Sequence, residues 1–188
     1  MTKAKDEFNN LEEEEIEEHY NTRMVNLLDE YLLDRSEILE LGSGTAADLL
    51  KLSKNYEVTG SDSSKTVINS IQEEHPELEL KKLNLHELAI KGTYDCIYSD
   101  KVLSELSKEE MIHALNNQVE HLHEDGIILM SLHYGEGQEE IDGQLVTRYT
   151  ETTIGQIVPD SLRIVLIDSY SEKAKRDSLV VILKKRTD

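Results

Sequence analysis

The chain has 188 residues, enough for one domain with its own apolar core, and 39 acidic residues against 20 Lys and Arg give a formal net charge of -19. That charge opposes nucleic-acid phosphates and anionic lipid headgroups, which select basic surfaces. One Cys, no Trp and one Phe exclude an intramolecular disulfide and a cysteine-rich metal centre, and leave few platforms on which bases could stack.

Nothing near the start resembles a charged segment followed by an apolar one, and no apolar run approaches the roughly 20 residues that span a bilayer. A cytoplasmic protein with no membrane or nucleic-acid partner is expected. Lys81, Lys82 and Lys184 to Arg186 are short basic clusters that read as solvated strand ends. In the segment Leu11 to Leu33, the apolar residues Ile16, Tyr20, Met24, Leu27, Leu28 and Tyr31 recur at helical spacing. The spacing predicts a lead-in helix, and the acidic run Glu12 to Glu15 suits the positive end of its dipole.

Short apolar runs then alternate with amphipathic stretches. Ile38 to Leu41 precedes Ala46 to Lys54, Tyr56 to Thr59 precedes Ser63 to Glu74, and Leu78 to Leu83 follows. Tyr94 to Ser99 leads to a helix predicted over Glu109 to His123 and then to the strand Gly126 to Leu132. Such alternation predicts a parallel sheet covered by helices on both faces. The last two runs, Leu162 to Tyr170 and Ser178 to Lys184, are joined by only Ser171 to Asp177, too short for a helical crossover, so they should form an antiparallel hairpin. Seven strands are thus expected in a Rossmann-like, doubly wound, mostly parallel α/β sheet. A single domain over 1–188 is expected, with residues 1–35 as helical lead-in and 36–188 as core. Tyr134 to Thr147, rich in Gly and charge, follows a strand's C-terminal end and reads either as a substrate lid or as a plain surface loop.

The informative segment is Ile38 to Ala46, an apolar strand running into a glycine turn that opens a helix. Gly42 and Gly44 permit a tight turn and the close approach of a ligand. Asp62 stands 18 residues beyond Gly44 at the end of the next strand, where a carboxylate can accept both hydroxyls of a ribose. Dinucleotides, nucleoside sulfonium cofactors and no ligand at all remain open on the glycines alone. Glu40 favours the sulfonium, since a carboxylate before the turn repels a pyrophosphate and suits a ligand bearing an ammonium and a sulfonium. The terminal hairpin points the same way.

These residues resemble the class I S-adenosylmethionine-dependent methyltransferases over nearly the whole chain. Glu40 to Ala46 looks like the first motif of that family, with Ala46 in place of the usual third glycine. Gly60 to Ser64 looks like the second, whose acid takes the adenosine ribose. Leu83-Asn84-Leu85-His86 stands where an acid commonly meets the adenine amino group, and Asn84 could accept that bond through its amide oxygen. Tyr94 to Ser99 resembles the fourth motif, and Gly126 to Leu129 the fifth strand. Ser131 to Gly137 is similar to small bacterial methyltransferases near the tellurite-resistance group, although Val102 to Leu106 lacks the histidine common there. The resemblance implies S-adenosyl-L-methionine as cofactor, held by Glu40, Gly42, Ser43, Gly44, Asp62, Ser63, Asn84, Leu85 and Ser99, and an enzyme acting on a small-molecule acceptor.

Methyl transfer from a sulfonium depends mainly on alignment, and a general base is optional. If one is used, His133, Tyr134 and Glu136 are the candidates by their place after the fifth strand. Asp95 reads as a strand-start residue, Cys96 as a small core residue and Tyr20 as core packing. His121 and His123 fall two apart on the predicted helix and so on different faces, which leaves no metal site expected. Two other functions stay open on the sequence: a non-catalytic methyltransferase-like module that engages a protein partner, and an NAD-dependent oxidoreductase.

Overall fold

The structure, a computed structural model, describes residues 20–186 apart from 88 and 142. The chain enters through helix α1 (Thr22–Leu28), capped by Asn21, whose side chain accepts the Met24 amide. Strand β1 (Glu37–Leu41), helix α2 (Ala47–Leu52), strand β2 (Glu57–Asp62), helix α3 (Lys65–Glu74) and strand β3 (Glu79–Lys82) follow. Next come β4 (Tyr94–Asp100), a 3-10 turn (Val102–Glu105), helix α4 (Lys108–Glu120) and β5 (Leu122–His133). A small hairpin of β6 (Gln138–Ile141) and β7 (Gln144–Thr147), helix α5 (Glu151–Gly155), β8 (Leu162–Tyr170) and β9 (Ser178–Lys185) complete the described chain.

Seven strands form one sheet in the order β3-β2-β1-β4-β5-β9-β8. The first five run parallel, β9 pairs antiparallel with β5, and β8 pairs antiparallel with β9. The expected mostly parallel sheet with its antiparallel terminal hairpin is therefore present, and the final strand lies inside the sheet. Strands buried on both faces explain the continuous apolar runs, such as the fully buried Leu179 to Leu183. On one face Leu39, Leu41, Ile97 and Ile128 pack against Met111, Ala114 and Leu115 of α4 and Ile154 of α5. On the other, Ile38, Cys96, Tyr98 and Leu129 pack against Met24, Val25 and Leu28 of α1 and Leu52 of α2. Helices thus cover both faces.

Cys96 is fully buried in that second core, and burial pushes its thiol up, as suits a packing residue. Asp95 accepts the Glu37 amide at 2.9 Å and so fixes the start of β1 against β4. Of the basic clusters, Lys81 pairs with Glu79 at 3.0 Å, Lys184 pairs with Asp125 at 2.9 Å, and Lys185 donates to the Leu122 carbonyl.

Four expectations are corrected. The lead-in helix does not run on to Leu33, because it ends at Leu28; its portion before Tyr20, with Glu12 to Glu15 and Ile16, lies outside the described residues. Tyr20 precedes the Asn21 cap and is not on the helix. Helix α4 stops at Glu120, so His121 caps it while His123 stands on β5, and their separation has a different cause from the one predicted. Tyr134 to Thr147 contains an antiparallel hairpin in place of a loop, with Glu139 opposite Val146. That hairpin is fastened to the body of the protein by the Thr147 hydroxyl, which donates to the Leu106 carbonyl at 2.7 Å.

Candidate functional site

In this sheet β1 is flanked by β2 on one side and β4 on the other, which places the topological switch point at the C-terminal ends of β1 and β4. Glu40, paired in register with Tyr98, and Asp100 stand at that crevice on the α1 and α2 side. The turn after β1 is held from beneath. The Ser43 amide donates to the Ser61 carbonyl at 2.8 Å, and the Ser43 hydroxyl accepts the Ser61 amide at 3.1 Å. The same hydroxyl donates to Glu40 Oε2 at 2.5 Å, so the buried Ser43 side chain faces inward.

The two glycines do different things. A Cβ on Gly42 would lie 2.7 Å from Val102 Cγ2, so glycine is needed there for packing. At Gly44, with φ +49, a Cβ would meet nothing nearer than the Gly42 carbonyl at 3.8 Å. That side of the turn is an open cradle. Ala46 itself adopts a left-handed conformation, φ 63, where a glycine is the unstrained choice.

Asp62, at the end of β2, accepts the Gly44 amide at 3.3 Å on one oxygen and the Ser64 amide at 2.8 Å on the other. These bonds aim its carboxylate at the cradle while each oxygen keeps a lone pair. Beneath the turn a cavity of about 170 Å³ is lined by Glu40, Gly44, Thr45, Asp48 and Asp100 among others. Burial raises the Glu40 carboxyl to about 8 and that of Asp48 to about 6, in both cases with further upward pressure from Asp100. Asp48 accepts the Tyr98 hydroxyl at 2.6 Å and the Asn21 amide at 2.7 Å. Three carboxyl groups thus face one small cavity, a donor set that suits a cation and opposes a phosphate. Among the described residues no group of three His, Cys, Asp or Glu is arranged to hold a metal.

Residues 38–126 match the family model of a methyltransferase domain. The matched segment includes the glycine turn, Asp62 and the whole of β4. Among solved structures, an S-adenosylmethionine-dependent methyltransferase from Clostridium acetobutylicum is similar with a TM-score of 0.72 and 14% identity, over 98% of this chain and 100% of that one. The 1,6-didemethyltoxoflavin-N1-methyltransferase of Burkholderia thailandensis, solved with bound 1,6-didemethyltoxoflavin and S-adenosylhomocysteine, gives 0.75 and 16%, over 88% and 78%. TehB from Haemophilus influenzae gives 0.70 and 17%, over 89% and 63%. At these identities the likeness is one of fold. No curated protein matches the chain.

Within the matched segment, Glu40, Gly44 and Asp62 lie around the turn after β1. Ser63 is exposed beside Asp62. Asn84 is exposed after β3, its amide oxygen accepting the His86 amide at 3.0 Å, and Leu85 is half-buried against the α4-side core. Ser99 is not brought to the cavity. It is fully buried, and its hydroxyl has no hydrogen-bond partner among the described residues. Alternation along β4 turns Ser99 to the α4 side and presents Asp100 instead.

The three candidates at the end of β5 and just beyond it have different surroundings. His133 is half-buried, and burial together with Lys101 and Arg148 lowers its imidazole below the ordinary value. Tyr134 lies under the Arg176 guanidinium, 4.7 Å from its ring centroid, and Glu136 is exposed. None of them lines the cavity beneath the turn or the larger one beside it.

The sequence reading missed Asp48, Asp100 and Asn21. Asn21 donates its side-chain amide to Asp100 Oδ1 at 3.1 Å and to the Tyr170 hydroxyl at 3.0 Å, which ties α1 to the sheet edge. Asp100 Oδ1 also accepts the Ser131 hydroxyl. Tyr20, expected in the core, packs partly against it, but it also lines the larger cavity and sits under the Lys51 ammonium.

Proposed function

We propose that this protein transfers a methyl group from S-adenosylmethionine to a small-molecule acceptor. The observation that carries this reading is the cavity beneath the glycine turn, walled by Glu40, Asp48 and Asp100, with Asp62 aimed at the open side of Gly44. Glu40 and Asp48 would hold the cationic amino-acid end of the cofactor. Asp62 and Ser63 would take the ribose, and Asn84 and Leu85 would meet the adenine. The inward-facing hydroxyl of Ser43 would shape the turn rather than touch the ligand. Bound there, the cofactor supplies an electrophilic methyl group on sulfur, and the protein's part is to align an acceptor with it.

A dinucleotide is disfavoured, because three carboxyl groups would face its pyrophosphate where free amides and cations are needed. The net charge of -19 disfavours a nucleic-acid acceptor. A cytoplasmic setting accords with this reading, and among the described residues no helix is long and apolar enough to cross a membrane. The seven strands share one sheet, which supports a single domain preceded by its helical lead-in. The test is incubation with methyl-labelled S-adenosylmethionine and a whole lysate, followed by separation by size. Label in a low-molecular-weight species other than S-adenosylmethionine is the expected result, and transferred label found only on protein or nucleic acid would refute a small acceptor.

A further inference from the structure

A second cavity, of about 710 Å³, opens between the start of α1 and the β8–β9 connection. Its walls include Asn21, Arg23, Asp100, Lys101, Glu172 and Lys173. Asp100 borders both this space and the cavity beneath the glycine turn. Its Oδ1 is held by Asn21 and Ser131, while its Oδ2 carries no hydrogen bond among the described residues. Lys101 and Glu172 satisfy one another at 3.2 Å, and the Lys101 ammonium is further engaged by Ser178 and the Leu132 carbonyl. The Lys173 ammonium, in contrast, lies exposed with no ion-pair partner among the described residues. Arg23, half exposed, pairs with Asp168 through one guanidinium nitrogen and stands against the face of Tyr170.

The cavity therefore has an acidic inner end, next to the cofactor cavity, and a cationic outer end. Three cations against two acids line it, in a chain whose acids outnumber Lys and Arg by 39 to 20. From this polarity we infer that the larger cavity is the acceptor site, and that it takes a small molecule with an N–H or O–H nucleophile at one end and an anionic group at the other. The anionic group meets Lys173, with Arg23 beside it, and the nucleophile's hydrogen is received by Asp100 Oδ2. The inference rests on the methyltransferase reading above. In the transfer, the nucleophile's lone pair forms the bond to the methyl carbon as the carbon–sulfur bond breaks with its electron pair left on sulfur. The proton shed by the nucleophile passes to Asp100. Burial holds the Asp100 carboxyl above the ordinary range, as suits a group that takes up a proton.

The experiment uses the full chain saturated with S-adenosylhomocysteine and titrated calorimetrically with 4-aminobenzoate, aniline and benzoate. The first should bind about tenfold more tightly than either of the others, since it meets both ends. Lys173→Gln should weaken 4-aminobenzoate and benzoate but not aniline. Asp100→Asn should weaken 4-aminobenzoate and aniline but not benzoate, because it turns an acceptor oxygen into a donor. Binding of S-adenosylhomocysteine is measured first in each variant. Its loss in the parent protein would be a failure of the methyltransferase reading. Retained cofactor binding with no 4-aminobenzoate binding, or with binding indifferent to both substitutions, would overturn the acceptor site itself.

Discussion

Replacing Glu40 with Gln should change both the strength of cofactor binding and its dependence on pH. Glu40 is 3% exposed, and burial holds its carboxyl at about 8 against an ordinary 4.5. A ligand that brings an ammonium favours the ionised form, so binding must release a proton wherever the free protein holds one. Between pH 8 and pH 6 the ionised fraction of Glu40 falls from about a half to about one in a hundred, which weakens apparent affinity by up to about fiftyfold, the limit set by how weakly the neutral form binds. Asp48, raised to about 6, adds about a further twofold at the acid end. Gln keeps the shape and the bond from Ser43 but has no charge. It should weaken binding at pH 8 roughly tenfold or more, by losing a charge-assisted contact of about 1.5 to 3 kcal/mol, and should remove nearly all of the slope. The same shift acts on stability. The proton on Glu40 stabilises the fold fully below its ordinary 4.5, and that stabilisation is lost as pH rises through about 8. The variant should therefore gain on the parent between pH 5 and pH 8. The assay is titration with S-adenosylhomocysteine at pH 6, 7 and 8 in two buffers of different ionisation enthalpy, which counts the protons released. A parent affinity flat across this range, or an equal slope in the variant, would refute the reasoning.

Gly44→Val should abolish cofactor binding by filling the open cradle, and should also lower stability by about 1 to 2 kcal/mol, because a β-branched residue is strained at φ +49; urea denaturation and a cofactor titration check the two effects separately, and normal binding would show that the turn faces elsewhere. Asn21→Ala removes the cap of α1 and its bonds to Asp100 and Tyr170, for a loss of about 1 to 2 kcal/mol and roughly 2 to 4 °C in melting temperature per kcal/mol. An unchanged melting temperature would show that α1 is not fastened through this residue. Ser99→Ala should leave cofactor affinity unchanged and raise stability by about 1 kcal/mol, since it deletes a buried hydroxyl with no partner among the described residues. A tenfold loss of affinity would instead restore Ser99 to the site.

Much of the sheet was legible because its strands are buried on both faces. Leu179 to Leu183 reads as a continuous apolar run, Ile38 to Leu41 is interrupted only by Glu40, and the short link Ser171 to Asp177 left no room for a crossover. The β6–β7 hairpin was not legible from apolar pattern, since all four residues of β6 are exposed. Its signal was the Asp142-Gly143 pair, a hairpin turn sequence whose glycine has φ 82. Glu40, Gly44 and Asp62 could be found because a glycine turn and a carboxylate 18 residues on report a βαβ unit directly. Asp48 and Asp100 could not, because one looks like a favourable carboxylate in the first turn of a helix and the other like a polar strand end. Their meaning depends on β1 and β4 being neighbours, which is a property of strand order. Asn21 sat within a helical periodicity and became visible as a cap only when its side chain was seen to accept the Met24 amide. His133, Tyr134 and Glu136 were grouped by closeness in sequence, and none of them lines the cavity beneath the turn or the larger one beside it.

The most direct test of the central claim is calorimetric titration of the full chain with S-adenosylmethionine, S-adenosylhomocysteine and NAD, repeated with Asp62→Ala. Asp62 is aimed by the Gly44 and Ser64 amides at the cradle where the ribose would lie. Binding of the first two ligands, no binding of NAD, and a loss of about tenfold or more in the variant are the predicted results. Binding of NAD in preference to S-adenosylmethionine, or of none of the three, would contradict the account.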